Sequence, residues 1–267
     1  MKGYIAMFRM KLIAGMQYRA AAWAGIATQF FWGFMLLMIY RAFYRSSGTQ
    51  PPLSWGQLVA YIWLNQAFLA IIMLWSTDGD LLNSITDGQV AYELCKPYDM
   101  YGFWFARLAA TRLSNVTLRC LPILMVSFLL PKPYRMMPPA GIASLVAFIL
   151  SMCLSLLLVT AISMFIYILT FITMSSYGSR LIIGIAAEFL AGQTIPIPLM
   201  PEWLQQMLNF LPYRYVSDLP FRLYSGNISG NEALFQISVQ LVWIVALCLL
   251  GRLVFGKVAR RIVIQGG

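Results

Sequence analysis

The chain has 267 residues, of which 60% are apolar and only 10% are charged, and its mean hydropathy is +0.73. An average soluble domain carries about 25% charged residues, so this composition indicates a protein embedded in lipid. The sequence contains no histidine, and its four cysteines form no CxxC pair. Histidine-based catalysis and the familiar zinc, haem and redox motifs are therefore excluded.

The first twenty residues predict a helix that lies along the membrane surface. Ile5, Phe8, Leu12 and Met16 recur at helical spacing, and lysine and arginine side chains lie between them. Such a basic amphipathic segment is typical of an interfacial helix, which we place at residues 3–19. A plain basic tail is the alternative.

Six apolar segments are long enough to cross a hydrocarbon core about 30 Å thick, which needs roughly 20 helical residues. The sequence shows no internal repeat and no soluble domain, so residues 1–267 are expected to form one all-α membrane domain. We expect its membrane-spanning helices at about 20–44, 55–76, 107–130, 139–172, 178–199 and 232–255.

The number of spans depends on the uncharged run 136–179, which as one helix would exceed a single crossing. A hairpin within it would give seven spans, whereas one long helix gives six. In the six-span arrangement one side of the membrane receives both termini and twice as many basic residues, which satisfies the positive-inside rule. Both termini are therefore predicted to be cytoplasmic. The richer side holds Lys2, Arg9, Lys11, Arg19, Lys96, Arg107, Arg112, Arg180, Arg252, Lys257, Arg260 and Arg261; the other holds Arg41, Arg45, Lys132, Arg135, Arg214 and Arg222.

The longest cytoplasmic connection lies between spans two and three and is rich in acidic residues. Near its start, Leu81, Leu82 and Ile85 share one helical face, and the helix is expected to break at Asp87 and Gly88. Periodicity leaves two interpretations open: a solvated connector, or a docking surface for a partner. The acidic residues are Asp78, Asp80, Asp87, Glu93 and Asp99.

A proline-dense segment follows the fifth span and excludes one continuous helix there. Between the prolines, Trp203, Leu204 and Met207 oppose Glu202 and Gln206 at helical period, which predicts a short interfacial or re-entrant helix. Irregular backbone at membrane depth survives only when it is buried in protein or faces water, so this segment is expected to border a cavity. The prolines are Pro196, Pro198, Pro201, Pro212 and Pro220.

Two charged residues fall inside predicted spans, where such groups are costly. Arg119 and Glu188 lie about 10 and 12 Å from the cytoplasmic ends of their spans. We hypothesise that they pair or line one polar track. The alternative is that Arg119 snorkels to the surface and that Glu188 contacts only backbone or water.

The run from Gly251 to Lys257 matches the pattern G-x-x-x-x-G-K of nucleotide-binding loops. A true loop of this kind needs serine or threonine next, to hold magnesium, and Val258 occupies that position. The glycines therefore predict close helix packing, and the chain is not expected to hydrolyse ATP.

These features together resemble the membrane subunit of ABC exporters of the ABC-2 type. The resemblance rests on the basic N-terminal helix, on the loop pattern I-x-D-G … L-x-K-P from Ile85 to Pro97, and on the proline-rich run from Ile195 to Leu204. The loop is similar to the I-x-x-G … L-x-R-P pattern of a branch whose permeases often work as pairs of unlike subunits. Lys96 replaces the commoner arginine.

The resemblance implies a full transporter in the bacterial cytoplasmic membrane, with two permease subunits, the same or paralogous, and two separate ATP-binding subunits. This chain would then be non-catalytic and would hold no cofactor, since ATP and magnesium bind to the partner subunits; no nucleic-acid partner is implied. The proline-dense segment would form an outer gate that includes Pro196, Pro198, Pro201, Trp203 and Pro212. The first cytoplasmic loop would contact the ATPases through Leu81, Ile85, Asp87, Gly88, Tyr92, Glu93, Leu94, Lys96 and Pro97.

Two other classes of function are weaker. An ion-coupled secondary transporter needs ion-binding groups near the middle of the membrane and inverted repeats; Glu188 is its only acidic candidate, and no repeat is visible. A membrane enzyme using serine and lysine would need a lysine inside a span, which the sequence lacks. The sequence does not identify the cargo.

Overall fold

The computed structural model describes residues 2–17, 19–46 and 51–260, and within them it is helical, without a strand. Arg261, counted above among the cytoplasmic charges, lies outside these ranges. Two 3-10 turns, Ile197–Leu199 and Pro212–Tyr215, join the helices near the end of the chain. The α-helices are α1 (Lys2–Gln17), α2 (Arg19–Ser46), α3 (Trp55–Ile72), α4 (Gly79–Thr86), α5 (Val90–Leu94), α6 (Met100–Thr117), α7 (Cys120–Leu129), α8 (Ile142–Thr173), α9 (Ser176–Leu190), α10 (Glu202–Asn209), α11 (Asp218–Tyr224) and α12 (Gly230–Ala259).

Five helical segments in the described ranges are long and apolar enough to cross a membrane. They are most of α2, all of α3, α6 together with α7, α8, and α12. The expected crossing at 178–199 is not found as one helix, because α9 has 15 residues, about 22 Å, and ends at Leu190. Gly192 then turns the chain with a φ of 78°. The chain is therefore a multi-pass membrane protein with five candidate spans, and six remains a prediction.

The long uncharged run forms a single helix, as the charge distribution predicts, and the hairpin alternative is wrong. Helix α8 has 32 residues, about 48 Å, and packs against α3, α6, α9, α11 and α12. Half of its side chains are buried against these neighbouring helices. It is the central helix of the described bundle.

The N-terminal segment is a helix rather than a plain tail. Helix α1 lies along α6, which fixes its place in the bundle. Of the expected apolar stripe, Ile5 is exposed and Phe8 is half-buried. The side chains of Leu12 and Met16 lie outside the described part of the chain.

Aromatic packing joins the first two spans. Trp63 of α3 is fully buried and meets the rings of Phe30 and Phe34 edge-on, with ring centroids 5.8 and 5.3 Å away. Gly33 permits this approach, since a Cβ there would lie 2.9 Å from the indole of Trp63. The indole nitrogen of Trp63 donates to the carbonyl of Tyr134 at 2.9 Å, so the polar edge of the ring is satisfied.

One buried amide joins α12 to α8. The side chain of Gln240 is fully buried; its Nε2 donates to the carbonyl of Tyr215 at 2.9 Å and to Ser155 Oγ at 3.1 Å. Its Oε1 accepts from Ser151 Oγ at 2.9 Å. A fully buried amide cannot bond to solvent, so Gln240 and its partners depend on one another for their hydrogen bonds.

We expect Gln240→Leu to lower the free energy of unfolding by about 1–3 kcal/mol, because the Ser151 hydroxyl loses its buried acceptor and the Tyr215 carbonyl loses one of its two donors. Thermal unfolding of the purified chain in neutral detergent measures the effect. Ser238→Ala is the control, since this exposed hydroxyl bonds only within its own helix. Equal unfolding midpoints for the two variants would contradict the prediction.

Candidate functional site

Two polar regions lie at opposite ends of the helix bundle, and α8 connects them. Near its C-terminal end, Tyr167 contacts Asp78 in the loop after α3. Nearer its start, Ser155 contacts Tyr215 in the proline-dense segment. The predicted loop and the predicted gate are therefore separated along the length of one helix.

Asp78 connects four helices at the loop end. Arg107 of α6 donates to both carboxylate oxygens, at 2.6 Å from Nε and 2.9 Å from Nη2. The ammonium of Lys11 in α1 lies 3.4 Å from the same carboxylate, which also accepts from the backbone of Leu81 at the start of α4. The Asp78 backbone donates to the Tyr167 hydroxyl of α8 at 2.8 Å. We name Asp78, Arg107, Lys11 and Tyr167 the Asp78 cluster.

The cluster keeps its carboxylate charged. Burial alone would raise the pKa of Asp78, but the hydrogen bonds and charge of Arg107 and the charge of Lys11 outweigh it and hold the pKa below its ordinary value. The stability from this carboxylate is therefore present above about pH 4, its usual titration range, and is lost as the pH falls through the lowered pKa.

Arg112 is a buried structural residue that sequence reasoning counted only as a cytoplasmic charge. Its guanidinium donates to the carbonyls of Ile71, Met73 and Ser76 at 3.1, 2.6 and 3.0 Å and to Ser163 Oγ at 2.8 Å. It thereby satisfies carbonyls that the end of α3 leaves without helical partners. These bonds fix residues 71–76, where the chain enters the loop, to α6 and α8.

The apolar side of the loop is an anchor. Helix α4 ends at Asp87 and Gly88, where the sequence predicts the break, and Gly88 has a φ of 74°. Leu81, Leu82 and Ile85 are buried with the aromatic side chains of α6 and α8. Leu81 and Ile85, both expected among the partner-contacting residues, therefore face the bundle.

The other expected coupling residues lie mostly on the outer surface of the loop. Tyr92 is 77% exposed. Glu93 is half-buried and accepts a hydrogen bond from the indole of Trp104 at 2.7 Å, which ties α5 to α6. The side chain of Leu94 lies outside the described part. Asp87, Gly88, Lys96 and Pro97 are exposed. We call Asp87, Gly88, Tyr92, Lys96 and Pro97 the outward loop face.

The structure does not bring Arg119 and Glu188 together. Arg119 sits at the break between α6 and α7, and its guanidinium lies against Gly25, where a Cβ would be 2.8 Å from Cζ. Glu188 is half-buried and faces the indole of Trp75. Among the ion pairs of the described residues, none joins the two charges. Arg119 thus lies against α2, whereas Glu188 lies beside Trp75.

Side chains of α3 satisfy the irregular backbone that follows α9. Tyr61 donates to the carbonyl of Gly192 at 3.0 Å, and Asn65 donates to that of Gln193 at 2.7 Å. Gln193 in turn donates to the carbonyl of Ile72 at 2.8 Å. Non-helical backbone at membrane depth requires such partners from the protein.

The proline-dense segment contains the short helix that the sequence predicts. Helix α10 buries Leu204 and Leu208 against Ile197 and Met200. Of the expected gate residues, Pro196, Pro198 and Pro212 are buried, whereas Pro201 and Trp203 are exposed.

The glycine pattern near the C-terminus is helical. It lies within α12, where Gly251 packs so closely on Tyr101 that a Cβ would be 2.5 Å from the tyrosine hydroxyl. Gly256 contacts no other side chain in this way. Helix packing, as predicted from the sequence, accounts for Gly251.

The described architecture is that of a multi-pass membrane component with an anchored polar loop at one end and a broken helix at the other. The family model for ABC-2 family transporter proteins matches residues 30–266, which is most of the chain. The chain therefore belongs to the ABC-2 transporter family, as the loop and proline motifs indicated. No protein of curated function matches the sequence.

We expect Asp78→Asn to loosen α1 from the bundle, because the amide keeps the shape of the carboxylate but loses its attraction to Arg107 and Lys11. The cost is about 1–3 kcal/mol for a partly buried charged network. Tryptic cleavage after Lys11 in the folded chain should accelerate. Asp80→Asn is the matched control, since its carboxylate is exposed and lies 3.8 Å from Arg107. Unchanged cleavage in Asp78→Asn would contradict the prediction.

Proposed function

We propose that this chain is the permease subunit of an ATP-driven exporter, working with a second permease, the same or paralogous, and with two separate ATP-binding subunits. The observation that carries the proposal is the division of the loop into an anchored side and an outward face. Membership of the ABC-2 family supports an association with ATPases. In this scheme ATP and magnesium bind to the partners.

The outward loop face is proposed to receive the ATPase. An exposed aromatic side chain beside a lysine is a suitable anchor for a protein interface, where buried aromatic residues carry much of the binding energy. Tyr92 and Lys96 are both exposed and lie four positions apart in the sequence. Behind them, Glu93 bonds to Trp104 and Asp78 to Arg107, so a force on the loop passes directly to α6.

The proposed mechanism is a shift between two populations. ATP favours closed ATPases, whose movement displaces the docked loop together with the helices bonded to it. The Asp78 cluster connects the loop to α1, α6 and α8, so these helices would move with it. At the opposite end, the segment with Pro196, Pro198, Pro201, Trp203 and Pro212 would open as an outer gate.

The loop end is proposed to face the cytoplasm of a bacterium, together with both termini. Two contacts support a shared side: Lys11 of α1 meets Asp78, and Arg252 near the end of α12 meets Asp99. The basic residues of both terminal helices would then lie on the side that the positive-inside rule favours.

Cys95 allows a direct test of this orientation, because it is exposed in the loop. In a variant with Cys120, Cys153 and Cys248 changed to alanine, we expect a membrane-impermeant maleimide to label Cys95 only after cells are permeabilised. A second variant that carries Trp203→Cys in place of Cys95 should be labelled in intact cells. Labelling of Cys95 in intact cells would reverse the proposed orientation.

Loss of the outward anchor should weaken the complex. We expect the double change Tyr92→Ala and Lys96→Glu to reduce the ATPase retained per permease at least tenfold after detergent purification of the co-expressed subunits, which corresponds to about 1.4 kcal/mol. Trp203→Ala is the control, since Trp203 is 68% exposed at the opposite end. Equal retention in both variants would exclude this face as the docking surface.

A further inference from the structure

A cavity of about 530 Å³ lies at the end of the bundle opposite the Asp78 cluster. Helix α10, the turn Pro212–Tyr215, α11 and the first turns of α12 surround it. Gln236 in its wall and Arg252 at the loop end are sixteen positions apart on α12, about 24 Å. The cavity is therefore separate from the proposed ATPase surface.

Arg214 brings a buried cation to this cavity. The residue is only 6% exposed, and its guanidinium lies 5.6 Å from the centroid of the Tyr215 ring. One Nη donates to the side-chain oxygen of Asn209, while the buried Nε has no hydrogen-bond partner. None of the ion pairs among the described residues includes Arg214. The buried carboxylate of Asp218 attracts both Arg214 and Arg222, so two guanidinium groups share one carboxylate, and Arg214 keeps the capacity to bind a further anion.

The other charged groups of the cavity are already engaged or exposed. Arg222 pairs with the buried carboxylate of Asp218 at 3.5 Å and donates to Asn227 at 2.7 Å. Glu232 also lines the cavity, but its exposure to solvent screens its charge. Arg214 is therefore the cation here that remains available to a bound anion.

A neutral amide can assist Arg214. The side-chain oxygen of Gln236 is buried at the cavity wall without a partner. A half-turn of the carboxamide exchanges its oxygen for its N–H group, which would donate to an anion. Asn209 already accepts from Arg214 and has its own N–H groups to offer.

Part of the cavity lining is apolar. Phe210, Phe235 and Val239 line the cavity, and Phe235 is 65% exposed. Beyond it, α12 continues as an apolar exposed surface through Val242 and Val245. A molecule in the cavity would thus contact both a cation and an apolar surface.

We propose that this cavity binds the anionic headgroup, a phosphate or carboxylate, of an amphiphilic molecule whose apolar chain lies along Phe235 and the exposed face of α12. Arg214 recognises the charge, and Phe235 recognises the chain. Residues of this chain alone form the site, so binding there does not depend on the ATPase partnership proposed above.

The test uses the full chain in neutral dodecyl maltoside micelles, with binding measured by isothermal titration calorimetry. Dodecyl phosphate should bind saturably, and inorganic phosphate at least tenfold more weakly, because it lacks the chain. Arg214→Gln should weaken dodecyl phosphate at least tenfold, whereas Arg135→Gln, at an exposed arginine that does not line the cavity, should change it less than twofold.

A second pair of variants tests the chain-binding wall without altering a buried group. Phe235→Ala should weaken dodecyl phosphate three- to tenfold, and Leu234→Ala, 67% exposed on the same helix but outside the cavity, should not. If Arg214→Gln does not fold, the comparison of Phe235→Ala with Leu234→Ala still tests the proposal. Equal binding of inorganic and dodecyl phosphate, or unchanged binding in Arg214→Gln or Phe235→Ala, would overturn the proposal.

Discussion

Backbone polar groups buried away from water must find partners within the protein, and this constraint shapes both ends of the bundle. Where α3 ends, Arg112 supplies four hydrogen bonds to the outgoing chain and to Ser163. Where α9 ends, Tyr61 and Asn65 donate hydrogen bonds to the carbonyls of Gly192 and Gln193. The helices can stop inside an apolar bundle because single polar side chains of other helices meet them there. Both polar regions begin at such a helix end.

The two polar regions differ in the contacts that follow these helix ends. At the loop end, apolar burial of Leu81 and Ile85 combines with the ion pair of Asp78 and Arg107, so the loop is fixed to the bundle while Tyr92 remains outside. At the end with the proline-dense segment, the buried cation Arg214 lies beside an open cavity with unsatisfied polar atoms. The anchored loop is suited to transmit a displacement to the helices, and the cavity is suited to bind a ligand.

Local periodicity predicted the elements, whereas the contacts that position the site could not be predicted. The long helix α8, the break at Gly88 and the helix at Glu202–Asn209 follow from patterns within a few turns of chain. The roles of Arg112 and Asp78 depend on partners tens of residues away. The pairing hypothesis for Arg119 and Glu188 used matched depth alone, and depth does not specify which helices are neighbours. The expected span at 178–199 is not one continuous helix, because α9 ends at Leu190 and Gly192 turns the chain with a positive φ, and hydropathy carries no information on such a turn.

The length of α8 has a mechanical consequence. The helix is bonded at Ser151 to Gln240 and at Tyr167 to the backbone of Asp78, and these two contacts are sixteen residues, or about 24 Å, apart along it. If the helix tilts as a rigid body by roughly 5° about the Ser151 contact, the Tyr167 contact moves by about 2 Å. A small rotation at one face of the membrane would therefore be amplified into an atomic-scale displacement at the other, without any helix having to unwind.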